Sequence, residues 1–163
     1  MKYRGRGFTM LEMMAVVAVV AILATLSLPS YFDRIVRDQV KAALPLADIA
    51  KQPIAASWLA LQAFPVDNAS AGLPPAEKIV GNYVSAVAVE SGAIHIEFGN
   101  RANHAIAGKL LTLRPAVVTD APIVPVAWVC GYAEAPDKMT LNGSNRTSIP
   151  ESLLPIECRA MKS

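Results

Sequence analysis

The sequence predicts an α+β protein: a long, kinked N-terminal helix packed on a roughly four-stranded antiparallel sheet, followed by a disulfide-bounded C-terminal region. Three observations predict it. An apolar run at the start passes, without losing its helical period, into an amphipathic segment. Beyond residue 82, two apolar-rich runs flank a two-residue turn. The two cysteines, Cys130 and Cys158, both fall near the end. With 163 residues, the chain suffices for one domain with a single core.

The first element opens with residues 1–7, which hold Lys2, Arg4 and Arg6 and no acid. Residues 8–28 follow as an apolar run of about 21 residues, which at helical rise spans roughly 30 Å, the thickness of a bilayer's hydrocarbon core. The basic residues before it predict that the N-terminus stays on the cytoplasmic side while the rest crosses. Glu12 is the misfit. A carboxylate inside an apolar membrane helix costs on the order of 3 kcal/mol, and such acids usually have a functional partner. A secretory signal carries its small-residue cleavage site after the apolar run, whereas here the small residue, Gly7, precedes it.

Residues 29–64 continue the helix in amphipathic form. Val36, Val40, Ala43, Ala47, Ala50, Ile54, Trp58 and Leu61 recur every three or four positions and draw one apolar stripe, which the following strands must cover. Pro29, Pro45 and Pro53 each remove a backbone hydrogen bond and predict a curved helix, with its kink at Pro29 and its end near Ala63. Residues 65–82, with Gly72, Pro74 and Pro75, read as a surface loop.

Residues 83–163 hold the sheet and the C-terminal region. Tyr83–Glu90 and Ala93–Phe98 read as two strands joined by Ser91-Gly92. Ile94, Ile96 and Phe98 share the face expected on the helix, and Ala93, His95 and Glu97 share the face expected in solvent. Lys109–Arg114 and Val126–Cys130 supply a third and a fourth strand, with Trp128 and Cys130 facing the same way.

The formal charge is +2, but once the three basic residues of the opening segment are set aside, acids outnumber bases by one. That balance gives no electrostatic support for nucleic-acid binding. Cys130 and Cys158 lack CxxC spacing and a neighbouring His, so in an oxidising compartment the pair reads as a structural disulfide, worth roughly 3 kcal/mol in the chain-entropy picture. His95 and Glu97, with His104, are too sparse a set for a metal site, and none is expected. With two histidines and no GxSxG, P-loop or GxGxxG sequence, neither an enzyme nor a cofactor is expected. The sequons at Asn68, Asn142 and Asn145 read as chance in polar loops.

Gly7, Phe8, Thr9, Leu11, Glu12 and Met13, the apolar run to Leu28, and Pro29 with Tyr31 together resemble the start of a type IV prepilin. The head resembles type IVa pilins, through Tyr83–Thr112, Trp128-Val-Cys130 and Leu154-Pro-Ile-Glu-Cys158. The resemblance implies the type IV pilin fold and a subunit, expected to be the major pilin, of an extracellular type IV pilus supporting motility, adhesion, biofilm formation and DNA uptake. It implies cleavage between Gly7 and Phe8 by a prepilin peptidase that also methylates the new amine of Phe8, and filament assembly through Phe8 and Glu12. The implied partners are the chain itself in a helical homopolymer, the peptidase, the pilus assembly machinery, and the inner membrane before assembly. The segment from Cys130 to Cys158 would be the disulfide-bounded D-region exposed on the fibre. Many members have Gly where this chain has Ala21, which implies less unwinding between Ala21 and Pro29, and some carry a glycan on a C-terminal serine, here Ser163. The alternatives within the resemblance are a minor or competence DNA-binding pilin and a type II secretion pseudopilin. The pseudopilin's acidic calcium loop has no counterpart here.

Overall fold

The computed structural model describes residues 7–161, without the side chains of residues 26–30; Lys2, Arg4, Arg6 and Ser163 fall outside the description. The chain divides after Ile35 into two compact units, described separately below. One helix, α1, runs Met10–Leu61 through 52 residues and contributes to both. It stays helical at Pro45 and Pro53, although these residues cannot donate to the carbonyls of Lys41 and Ile49. It ends at Leu61, two positions short of the expected Ala63, where Gln62 turns left-handed (φ 52°) and donates its N–H to the Trp58 carbonyl. The kink expected at Pro29 falls among the side chains outside the description.

In the second unit, the predicted stripe Val36, Val40, Ala43, Ala47, Ala50, Ile54 and Trp58 is buried, and from Val36 to Ile54 it shares one core with Val84, Val87, Ile94, Ile96, Phe98, Leu111 and Leu113. Leu61, the last residue of the pattern, is exposed. The stripe closes with Trp58 stacked on Phe64 at 5.0 Å.

The sheet is an antiparallel meander of β1 (Val84–Glu90), β2 (Ala93–Phe98), β3 (Leu110–Val117) and β4 (Ala127–Cys130), in that spatial order. Ser91 (φ 49°) and Gly92 (φ 81°) make the β1–β2 turn, with Glu90 paired to Ala93. Two consecutive positive φ values define the turn type whose twist matches a tight hairpin. Gly92 is needed twice over, because a Cβ there would lie 2.7 Å from Phe64. The loop before β1 buries Ala71 and Ile79. Its Asn68 amide accepts the Val89 N–H and donates to the Val87 carbonyl, covering the edge of β1. That use of both amide atoms also ties up the first sequon.

Three features depart from the sequence reading. First, β3 runs past Arg114, through Pro115, to Val117. A strand residue aims its N–H and C=O to the same side, and the Pro115 carbonyl accepts the Asn142 N–H, so its missing donor lies away from β4 and costs that ladder nothing. Second, an unexpected short strand, β5 (Thr140–Leu141), pairs with Ala116 and Val117. Third, His95 does not face solvent as expected: it is buried, with 3% of its surface exposed, whereas Glu97 is exposed.

The cause of the third departure is a strap, residues 142–148, which leaves β5 and crosses the sheet face opposite the helix. Gly143 (φ 79°) lies so close to Ala93 that a Cβ would come within 2.6 Å of it. The Arg146 N–H donates to Thr112 Oγ1, the Thr112 N–H donates to Thr147 Oγ1, and Ser148 exchanges two hydrogen bonds with the backbone of Leu110. Beyond the strap, the Cys130–Cys158 disulfide (S–S 2.03 Å) ties the last residues to β4, as expected. Both sulfurs belong to buried residues.

Candidate assembly site

The described part of the first unit begins with Gly7 and Phe8, both exposed, and the reason the helix starts two residues later is Thr9. Thr9 Oγ1 accepts the N–H of Glu12 at 3.2 Å, while Glu12 Oε2 accepts both the N–H and the hydroxyl of Thr9 at 2.9 Å. This is a reciprocal capping box, T-x-x-E, which satisfies two of the donors that a helix start leaves unpaired. It also sets a carboxylate beside the positive end of the helix dipole. The sequence reading takes Glu12 as an acid within an apolar run and, by resemblance, as the assembly residue, and it misses this intrachain partner, although the threonine three residues upstream is a legible signal. A carboxylate offers about four acceptor positions over two oxygens, so a cap on Oε2 leaves capacity for a second partner.

Phe8 and Met13 occupy the flanking positions of a hydrophobic staple and line one shallow groove with Met10, Met14 and Val17. Phe8 is 77% exposed. A Cβ at Gly7 would meet nothing within 4 Å, and its φ is not positive. The folded chain therefore places no demand for glycine there, and any such demand comes from what handles the Gly7–Phe8 bond.

From Met10 to Leu23 the large apolar side chains are exposed, from 85% at Met10 to 50% at Val16. Leu11, Met13, Val17, Val20 and Ile22 fall on different sides of the helix, so the exposure goes all round rather than along one stripe. A surface of this kind requires a covering of lipid or protein. Among the described residues no helix is long and apolar enough to cross a membrane. The side chains of residues 26–30 lie outside the description, and the apolar stretch before them is shorter than the ~20 residues a crossing needs. The Thr25 hydroxyl donates to the Ile22 carbonyl at 2.7 Å and is thereby satisfied without water. Ala21 sits in the helix with the same open exposure.

The other residues considered for chemistry do not come together. Among the described residues no group of three or more His, Cys, Asp or Glu is placed to hold a metal ion. His95 and Glu97 are separated by burial, and Asn145 is engaged, donating to the Gly131 carbonyl and accepting the Thr147 N–H.

Comparison with known proteins divides along the same lines. The family model for pilin, a bacterial filament protein, matches residues 36–159, and that for the prokaryotic N-terminal methylation motif matches residues 2–28. The type IV major pilin protein PilE of Neisseria gonorrhoeae is 36% identical over 160 residues, which cover 94% of this chain and 93% of its own. A fimbrial protein of Neisseria meningitidis serogroup B is 32% identical over 163 residues, with 94% of each chain covered. The fimbrial protein EcpC of Eikenella corrodens is 36% identical over 86 residues, 53% of this chain and 55% of its own. With one family model over the head, another over the N-terminal segment, and relatives aligned across nearly the whole length, the chain belongs to the pilin family.

Proposed function

We propose that this pilin is the structural subunit of an extracellular type IV filament, a polymer rather than an enzyme, whose N-terminal segment is both membrane anchor and assembly device. The observation that carries this reading is the all-round apolar exposure from Met10 to Leu23, on a chain whose head already closes its own core. Before assembly, residues 8–28 lie in the inner membrane, with the basic residues 2–6 on the cytoplasmic side. A prepilin peptidase cuts after Gly7 and the new amine of Phe8 is methylated. In the filament, the same apolar surface packs against neighbouring helices, and its removal from lipid and water drives association. Motility, adhesion and biofilm formation are then properties of the fibre and its assembly machinery.

Glu12 sets the register in this scheme. Its carboxylate pairs with the Phe8 amine of a neighbouring subunit, and the two charges, each costly to desolvate alone, become tolerable together. Electron microscopy of cells with the gene deleted and then restored tests the whole reading. Loss of every fibre on deletion, reversed by restoration, identifies the major subunit. Fewer but normal fibres would assign it as a minor pilin, and an unchanged number would refute the structural role.

A further inference from the structure

The strap and the sheet face beneath it enclose a titratable group that filament assembly does not use. His95 Nδ1 lies 3.0 Å from Thr112 Oγ1, which also accepts the backbone N–H of Arg146. Directing the Thr112 hydroxyl hydrogen at Nδ1 places the imidazole proton on Nε2, on the side of the Glu90 carboxylate, an assignment from the network. Nε2 then faces Glu90 Oε2 at 3.5 Å, too long for a hydrogen bond, and it is buried without a hydrogen-bond partner. Glu90 Oε2 is bonded instead by Arg146 Nη1 at 2.8 Å. A neutral imidazole fits this pocket, and one acceptor oxygen is already taken by the strap's own cation.

We propose that these residues form a pH-sensitive clasp, in which protonation of His95 releases the strap 142–148 from the sheet. An imidazolium would carry a hydrogen on both nitrogens. The new hydrogen, on Nδ1, would displace the Thr112 hydroxyl hydrogen, and the added positive charge would face the same Glu90 carboxylate that Arg146 holds. A second cation would then lie under the strap beside a guanidinium. The charged and titratable groups around His95 are few: Glu90 on β1, Glu97 farther along β2 and exposed, Arg114 on β3 donating to the Gly131 carbonyl, Arg146 on the strap, and Tyr132, whose hydroxyl donates to the Thr147 carbonyl. Of these, Glu90 favours the imidazolium and Arg146 opposes it. Burial, with Arg146 in second place, holds His95 below the usual histidine range, outweighing Glu90.

The sign follows. With the strap docked, His95 takes up a proton less readily than in the open state, where a solvated histidine titrates near 6.5. Docking is therefore at full strength above about pH 6.5, and it weakens as pH falls below that value toward the lowered docked one. Within that window one proton is taken up on opening, so the opening constant rises by up to about tenfold per pH unit.

The test is amide hydrogen exchange on the full-length chain in detergent, between about pH 7.5 and pH 5, corrected for the intrinsic pH dependence of exchange. The Arg146 and Ser148 amides, which bond to Thr112 and Leu110, should lose protection on acidification, while the β1–β2 amides keep theirs. In His95→Gln the strap should no longer respond to pH. A wild-type strap with constant protection, or a His95→Gln strap with the wild-type response, would overturn the clasp. Glu90→Gln provides a second reading if the first variant does not fold. It removes the charge that favours the imidazolium in the docked state, so the loss of protection should begin at the same pH and continue to lower pH than in the wild type, and a response that ends at the wild-type pH would likewise overturn the proposal.

Discussion

Two stretches of the same helix treat their hydrophobic residues in opposite ways. From Val36 to Trp58 every stripe residue is buried against the chain's own sheet, with Val40, Ala47 and Ile54 wholly hidden. From Met10 to Leu23 the apolar side chains lie open on all sides. The difference is one of pattern rather than of hydrophobicity. The stretch from Val36 to Trp58 interrupts its apolar positions with Arg37, Asp38, Lys41, Asp48 and Lys51, so one face can stay in water while the other is covered. The stretch from Met10 to Leu23 has no polar face, so nothing within a single chain of this size could cover it. Folding completes one stretch and leaves the other to be completed by lipid or by further copies.

The largest effect that would break this division is loss of assembly with folding intact. Glu12→Ala should leave the head's thermal unfolding unchanged and abolish fibres, as counted by electron microscopy. Normal fibres from that variant would remove the intersubunit pairing. In the head, Phe98→Ala should cost about 3–5 kcal/mol in denaturant unfolding, because the ring is fully buried in a closed core. The paired Cys130→Ser and Cys158→Ser substitution should cost roughly 3 kcal/mol by the same measurement, since it frees a 28-residue separation in the unfolded chain. If either head substitution had no effect on unfolding, the head would not be the self-sufficient unit that the comparison requires.

What was legible beforehand follows from how each part is held. The helical stripe and the β1–β2 hairpin are written as periods of 3.6 and 2 around a turn with two positive φ values, so residues near in sequence carry the whole signal. The disulfide was legible because there were only two cysteines to join. The strap was not. Thr147, Ser148 and Asn145 hold it through side-chain bonds to backbone far away in sequence, and such bonds leave no periodic trace. The same gap misplaced His95: alternation along β2 showed which face it lies on, but not that another segment covers that face. The opposite happened at Glu12. Its capping partner was adjacent and readable, yet the surrounding apolar run drew attention to the membrane and away from the helix start.

The smallest predicted effect separates the two roles that Glu12 can hold. Thr9→Ala deletes the hydroxyl that accepts the Glu12 N–H and donates to Oε2, but it keeps the Thr9 N–H that also bonds Oε2. Losing an N-cap side chain costs ~1 kcal/mol, about a fivefold shift in local opening. Amide exchange in the first helical turn should rise by about that factor, Thr9→Ser should restore it, and the head should not respond. Fibres should still form. If Thr9→Ala instead removed fibres as completely as Glu12→Ala, the acid would act by fixing the start of its own helix, and the pairing with a neighbouring Phe8 amine would have no remaining role. If fibre number fell only slightly while Glu12→Ala abolished it, the carboxylate must act on something beyond its own cap, and the exposed end of the chain is where that partner would bind.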